Sequence, residues 1–359
     1  MADVLAPAAL PYVQMVDWRP LCLEARPSLF LVLFTPLRGK RKETKRLMDQ
    51  AGTKSAQEKR VLRKLKWLAE TGLASHIDAR YLYVLTCAHI IDHLFHAVHS
   101  PIQADKVNEL FRVQVTCHHA ERAFIEGGRV GDRAYAPATV CGIDCASDLM
   151  LLRVDLGALP LRFNDDGQME ACPHPHPIPH FSPHHVPAAA QLMLLSWPEF
   201  RPCTLATGLY CMQRFLPDMS TNPVGYDLFL LEAYMGSQGG SSGGPLFDSF
   251  RRVKGILHGG SGGPHSHFIP SRLILPFIQA YAVPPKPPAP APSADDKPGP
   301  PPGPGPGDRK RGPPKDDKSG GSKRRLSSGS QGMSSKSAAA AEPEVLSSHW
   351  KMACSSSSA

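Results

Sequence analysis

The sequence has no apolar run long enough to cross a bilayer. Leu29–Leu33 falls far short of the roughly 20 residues that a spanning helix requires, so no membrane partner is expected. The N-terminus lacks the basic start, apolar core and small-residue cleavage site of a secretory leader. The nine cysteines, at 22, 87, 117, 141, 145, 172, 203, 211 and 354, show no paired framework. They are expected to be free thiols in a reducing, intracellular setting. Apolar residues run short from Ala282 onward, where Pro, Gly, Ser, Ala and charge dominate. Such a segment buries too little surface to offset the entropy of ordering it, so 283–359 is expected to be a disordered tail, locally extended over Pro300–Pro306. An N-terminal extension, 1–27, precedes a folded part, 28–282, large enough for two β-barrels sharing one cleft plus an insertion.

Three short stretches carry chemistry. Gly240-Ser241-Ser242-Gly243-Gly244-Pro245 is a glycine-crowded turn that presents a serine and leaves neighbouring backbone amides uncovered. A serine hydroxyl is a poor nucleophile unless a base and an orienting carboxylate assist it. Thr86-Cys87-Ala88-His89 closes the run Tyr81–Leu85, whose β-branched and aromatic content reads as a strand, and this sets His89 at a strand end. Ser147-Asp148 opens a second apolar run, Leu149–Leu152, with its carboxylate at the edge.

The order His89, Asp148, Ser242 with these flanks resembles a trypsin/chymotrypsin-like serine peptidase, nearest to the intracellular Deg/HtrA-type branch. Cys87 is a small departure from that branch's histidine motif. Val253–Gly260 resembles the strand lining the substrate cleft, and His267–Ser271 the strand that closes the second barrel. The resemblance implies an all-β fold of two six-stranded antiparallel β-barrels of the chymotrypsin type, with the active site between them. It implies an intracellular endopeptidase acting on polypeptides without a cofactor or metal. Ser242 would attack the carbonyl, His89 take the proton, and Asp148 hold the imidazole, while the amides of Gly240 and Ser242 form the oxyanion hole. The alternative is a catalytically inactive trypsin-like binding or scaffold protein.

Further absences acquire meaning inside that resemblance. Secreted members carry a cysteine just after the histidine, where Ile90, Ile91 and Asp92 stand here. Activation by a new N-terminal ammonium needs an aspartate before the nucleophile, and that residue is Ser241. No globular segment is expected after residue 282, hence no PDZ-type module. The base of the primary pocket falls at Gly236, followed by Ser237, so no carboxylate would receive a Lys or Arg side chain. His258, Gly259 and Gly260 complete the expected substrate-binding set, and a medium apolar side chain is the expected preference.

Three segments stand outside this core pattern. Residues 36–75 read as a basic helical insertion in the first barrel, with Val61, Leu62, Leu65 and Leu68 along one helical face. The net charge is +8, and the tail from Pro284 holds twelve Lys/Arg against seven Asp/Glu, so most of the excess lies there. The tail's clusters Arg309–Arg311 and Lys323–Arg325 resemble a bipartite import signal, which points to an import receptor and the nucleus, with the cytoplasm and nucleic-acid binding as alternatives. Cys172, His174, His176, His180, His184 and His185 sit in a proline-rich stretch, 172–187, whose spacing fits no standard zinc finger. That stretch is expected to be an extended surface loop without a resident metal.

Overall fold

Strand β1, Leu29–Pro36, shows how the two halves of the molecule meet. Phe30, Val32 and Phe34 enter one core, while Leu29, Leu31 and Leu33 enter another, as the twofold alternation of a strand requires. The first core is the interior of one barrel. The second also gathers Met193, Leu195, Phe247 and Ile256 from the other half, and so forms an apolar seam between the two. The computed structural model describes residues 15–127, 133–164, 167–198, 201–215, 222–260 and 263–282. The sequence-based expectation of a disordered basic tail, 283–359, lies outside the described residues, as do residues 1–14 of the N-terminal extension.

Helix α1, Arg19–Ala25, buries Leu21, Cys22 and Ala25 into the seam, so the described part of the extension packs on the domain. The first barrel comprises β1, β2 (Leu68–Ile77), β3 (Tyr81–Cys87), β4 (Phe111–Cys117), β5 (Ala136–Asp144) and β6 (Leu149–Asp155). It closes in the order β1-β2-β3-β6-β5-β4 with antiparallel pairing. A hairpin of β7 (Pro160–Phe163) and β8 (Met169–Ala171) then leads to the connector between the barrels. The second barrel is built from β9 (Gln191–Ser196), β10 (Thr204–Phe215), β11 (Phe229–Tyr234), β12 (Pro245–Asp248), β13 (Val253–Gly260) and β14 (His265–Pro270). Its closing order is β10-β11-β14-β13-β12-β9. These are two closed six-stranded antiparallel barrels of the chymotrypsin type.

The insertion differs in detail from the expectation. After β1 come two helices, α2 (Arg41–Ala51) and α3 (Ala56–Leu62), and residues 68–75, read as helical, are the first part of β2. Leu68-Ala69-Glu70-Thr71-Gly72-Leu73 contains good helix formers and is covered along most of its length, so it shows no alternation of apolar and polar residues. Helix α3 starts at a capping box: Ser55 Oγ accepts from the Glu58 N–H, and Glu58 Oε2 accepts from the Ser55 N–H. Met48 and Ala51 of α2 are buried, and the Lys54 ammonium lies 2.6 Å from Asp92, which fixes the insertion to the segment following His89.

Chain reversals elsewhere carry α4 (Ala104–Leu110) and α5 (His118–Glu126), and α6 (Ser271–Ala282) closes the described chain. Ile274, Phe277 and Ile278 of α6 join the seam core. Connector residues 172–187, expected on the surface, are only partly so. His176, Phe181, Ser182 and Val186 are buried, because Phe181 and Val186 find apolar cores and the Ser182 N–H donates to the Val253 carbonyl. Leu31 is fully buried in the seam. Leu31→Ala is expected to cost about 2–5 kcal/mol of stability, measured as a lower urea midpoint at unchanged m-value.

Candidate active site

Antiparallel pairing of β3 with β6 sets Cys87 opposite Leu149, so the chain leaving β3 and the chain entering β6 lie side by side at one end of the barrel. Asp148 immediately precedes Leu149 of that last pair, and His89 lies two residues beyond Cys87. The Ala88 N–H donates to the Asp148 carbonyl at 3.2 Å and fixes the approach. Asp148 adopts a left-handed backbone with φ of 55°, a conformation that aspartate tolerates better than most residues. Its carboxylate is fully buried. Oδ1 accepts the His89 backbone N–H at 2.6 Å, and Oδ2 meets His89 Nδ1 at 2.7 Å.

A second imidazole reaches the same oxygen. His258 Nδ1 lies 2.5 Å from Asp148 Oδ2, and the two rings pack edge to face. The sequence places His258 among the cleft-wall residues, and its ring meets the carboxylate of Asp148. Burial alone would raise the Asp148 pKa, but the flanking imidazoles hold it well below the ordinary carboxylate range. At His89 burial disfavours the charged ring, yet the Asp148 charge and hydrogen bond outweigh it and raise the pKa to about 9.

Ser242 stands half-buried in a turn whose backbone is fixed from the first barrel. The Thr71 N–H donates to the Ser242 carbonyl at 3.0 Å, and Thr71 Oγ1 donates to the Gly240 carbonyl at 2.9 Å. Gly243 has φ of +83°, and a Cβ there would fall 2.1 Å from the Thr71 carbonyl oxygen, so only glycine fits. Among the described residues the N–H groups of Gly240 and Ser242 donate no backbone hydrogen bond. Ser242 Oγ itself donates to the His258 carbonyl at a long 3.5 Å rather than to His89. The preceding Ser241 is buried and accepts from Ser196 Oγ at 3.1 Å.

Beneath these groups lies Glu70, which no sequence motif marks. It is buried on β2, and burial pushes its carboxyl up to about 8. Thr86 Oγ1 contacts Glu70 Oε1 and also lies 2.8 Å from the Thr71 carbonyl. A hydroxyl has one proton to donate, so both contacts are satisfied together only when Glu70 is protonated and donates to Thr86, which in turn donates to Thr71. A proton on Glu70 therefore completes the chain of bonds that holds Thr71 against the serine turn.

The remaining expected cleft residues fall together. A Cβ on Gly260 would meet Ser237 Oγ at 2.9 Å, and Ser237 Oγ lies 2.9 Å from Ser266 Oγ, which donates to the Met235 carbonyl at 2.9 Å. Gly236 and Gly259 face open space, with nothing within 4 Å of where a Cβ would stand. Ser266 is fully buried and carries no sequence signal of its own; its position opposite Ala233 and Gly260 on neighbouring strands brings it there. Cys87, beside the histidine, is buried, and its thiol donates to the Leu257 carbonyl at 3.2 Å. Burial pushes its pKa well up, so it is an inert packing residue rather than a nucleophile.

The double barrel with this cleft is the fold of the trypsin/chymotrypsin-like serine peptidases. No family model matches the chain, and no curated protein matches it. Among solved structures, the chain is similar to the Rv3671c protease of M. tuberculosis in its active form, at 18% identity and a TM-score of 0.45, over 77% of this chain and 92% of that one. The inactive form of the Rv3671c protease aligns at 17% identity and a TM-score of 0.44, over 76% and 99%. Deg5 aligns at 16% identity and a TM-score of 0.45, over 73% and 93%. Among the described residues, no helix is long and apolar enough to cross a membrane.

Proposed function

We propose that the chain is a serine endopeptidase in which Ser242 is the nucleophile, His89 the general base and Asp148 the orienting carboxylate. The observation that carries this reading is the two-point grip of Asp148 on His89, through the backbone at 2.6 Å and the ring at 2.7 Å. That grip fixes Nδ1 as the protonated nitrogen and leaves Nε2 free to take the serine proton. The free amides of Gly240 and Ser242 would receive the oxyanion; one such donor is worth about 3 kcal/mol of barrier. Gly236, Ser237, Ser266, Gly259 and Gly260 would form a pocket that offers hydroxyls and open space but no carboxylate, in keeping with a medium apolar side chain rather than Lys or Arg.

A binding protein without turnover is the competing reading, favoured by one observation: Ser242 Oγ points to the His258 carbonyl and is not bonded to His89. In unliganded sites such bonds are often long and tighten only with substrate. Cleavage of fluorescein-labelled casein by the purified chain separates the two readings. The peptidase reading expects release of dye that Ser242→Ala abolishes; intact casein with the wild-type chain would support the binding protein.

The pH dependence follows from His89. A general base must be neutral, and this imidazole is held charged up to about 9, so kcat/KM is expected to rise with pH and level off above about 9. Glu70→Gln keeps the donor to Thr86 but removes a carboxylate whose negative charge favours the imidazolium. Its alkaline limb is expected at lower pH with the plateau rate retained. A wild-type midpoint near 6.5, unmoved by Glu70→Gln, would contradict the assignment of charge around His89.

A further inference from the structure

Two cysteines and two histidines converge away from the triad. Cys117 is the last residue of β4, and His119 lies in the first turn of α5. Cys172 and His176 come from the connector, with Cys172 55 residues beyond Cys117 in the chain. One ligand atom from each of the four lies within 4.8 Å of all the others. The two sulfurs are 3.9 Å apart, and Cys172 Sγ is 3.6 Å from His119 Nδ1. A tetrahedral zinc ion with Zn–S of about 2.3 Å and Zn–N of about 2.0–2.1 Å sets its sulfurs about 3.8 Å apart and sulfur to nitrogen about 3.6 Å. The sulfur–sulfur and sulfur–His119 distances already match those spacings.

We propose that Cys117, His119, Cys172 and His176 form a structural zinc site. The tautomer of His176 suits a ligand, because its Nδ1 donates to the Pro27 carbonyl at 2.9 Å and the lone pair is left on Nε2. That Nε2 is buried without a hydrogen-bond partner, in a residue only 7% exposed. A buried imidazole nitrogen with no partner is costly, and a metal ion would satisfy it. Cys117 Sγ also accepts the Ala120 N–H at 3.4 Å, the kind of outer contact that steadies a ligating sulfur. Two sulfurs and two imidazoles at tetrahedral spacing select zinc over harder cations, and four protein ligands close the site against a reactive water.

Such an ion would staple two separate pieces of chain and, through His176, reach a third. Cys117 and His119 belong to the first barrel and its appended helix; Cys172 and His176 belong to the connector. The carbonyl behind His176 belongs to Pro27, just before β1, and Ser28 Oγ donates to the neighbouring Pro177 carbonyl at 2.7 Å. The Cys172 N–H is tied to the Leu159 carbonyl at 2.7 Å, which sets the sulfur at the mouth of the β7–β8 hairpin. The connector would thereby be held to the first barrel, and with it the route by which the chain passes to the second.

The full chain, expressed with zinc in the medium and gel-filtered, is expected to carry one zinc per chain by mass spectrometry of the metal. Cys172→Ser and His176→Ala should each lose that equivalent, while Cys211→Ser, at an exposed cysteine, should keep it. Chelation with phenanthroline should lower Tm, and added Zn2+ should restore it. The wild-type chain loaded with Co2+ should show thiolate-to-cobalt charge transfer and tetrahedral ligand-field bands, a readout that needs no variant to fold. Absence of bound zinc and of the cobalt bands, an octahedral cobalt spectrum, or a Cys117–Cys172 disulfide in the freshly purified chain would overturn the proposal.

Discussion

Ser242→Ala is expected to lower peptide hydrolysis by on the order of 10⁶-fold, the scale seen when a triad nucleophile is removed, while leaving the fold intact. The hydroxyl makes one long contact, to the His258 carbonyl at 3.5 Å, so its removal strands no buried partner. The turn is held by its backbone instead: Thr71 bonds the carbonyls of Gly240 and Ser242, and the Gly243 N–H donates to the Leu257 carbonyl at 2.8 Å. Circular dichroism and the urea midpoint should match the parent while turnover vanishes. Residual cleavage equal to that of the wild type would remove Ser242 from the mechanism.

Asp148→Asn should cost about 10⁴-fold in kcat, through the histidine tautomer. Its amide has two ways to sit, and both fail. With the NH2 at the Oδ2 position, it faces the Nδ1 atoms of His89 and His258 and forces the wrong tautomer on both. With the NH2 at the Oδ1 position, it is pressed against the His89 backbone N–H, which now points at another donor. The negative charge that favours a protonated His89 is lost in either case. His258→Ala removes only the second ring and leaves the grip on His89, so its loss of kcat should be smaller. Asp144→Asn should be mild, since an amide oxygen can still accept the N–H groups of Ala146 and Ser147 at 3.0 and 3.2 Å. Steady-state kinetics of the set give the ranking; Asp144→Asn falling below Asp148→Asn would move the orienting role.

The parts of this site that are legible in the sequence are those in which a local pattern carries the chemistry. Gly240–Pro245 announces a serine-presenting turn because glycine readily takes φ near +84° at Gly240 and alone fits the close approach at Gly243. Tyr81–Leu85 reads as a strand from its composition, and the histidine follows from its end. The parts that stay hidden depend on contacts between distant segments. Glu70 sits in a strand that reads as helix, because both faces of that strand are covered and no alternation marks it. The ring of His258 meets Asp148 because that buried carboxylate, 110 positions earlier, offers it a partner. Residues 172–187 taken alone show a Cys/His spacing that fits no finger; the other half of the ligand set, Cys117 and His119, is a short Cys-x-His pair that gains meaning only when β4 and the connector are adjacent. The insertion is recognisable by its length and basic charge, while its division into α2, α3 and the start of β2 requires Gly52 and Ser55 to be read as helix-ending and helix-starting residues.

Reaction of the full chain with a fluorophosphonate reports directly on Ser242 as nucleophile, since the phosphorus is captured only by a serine whose base and oxyanion donors are assembled around it. One phosphonate per chain is expected, located by peptide mapping at Ser242, absent from Ser242→Ala and formed much more slowly in Asp148→Asn. A wild-type chain that is folded by circular dichroism and takes up no label would contradict that role.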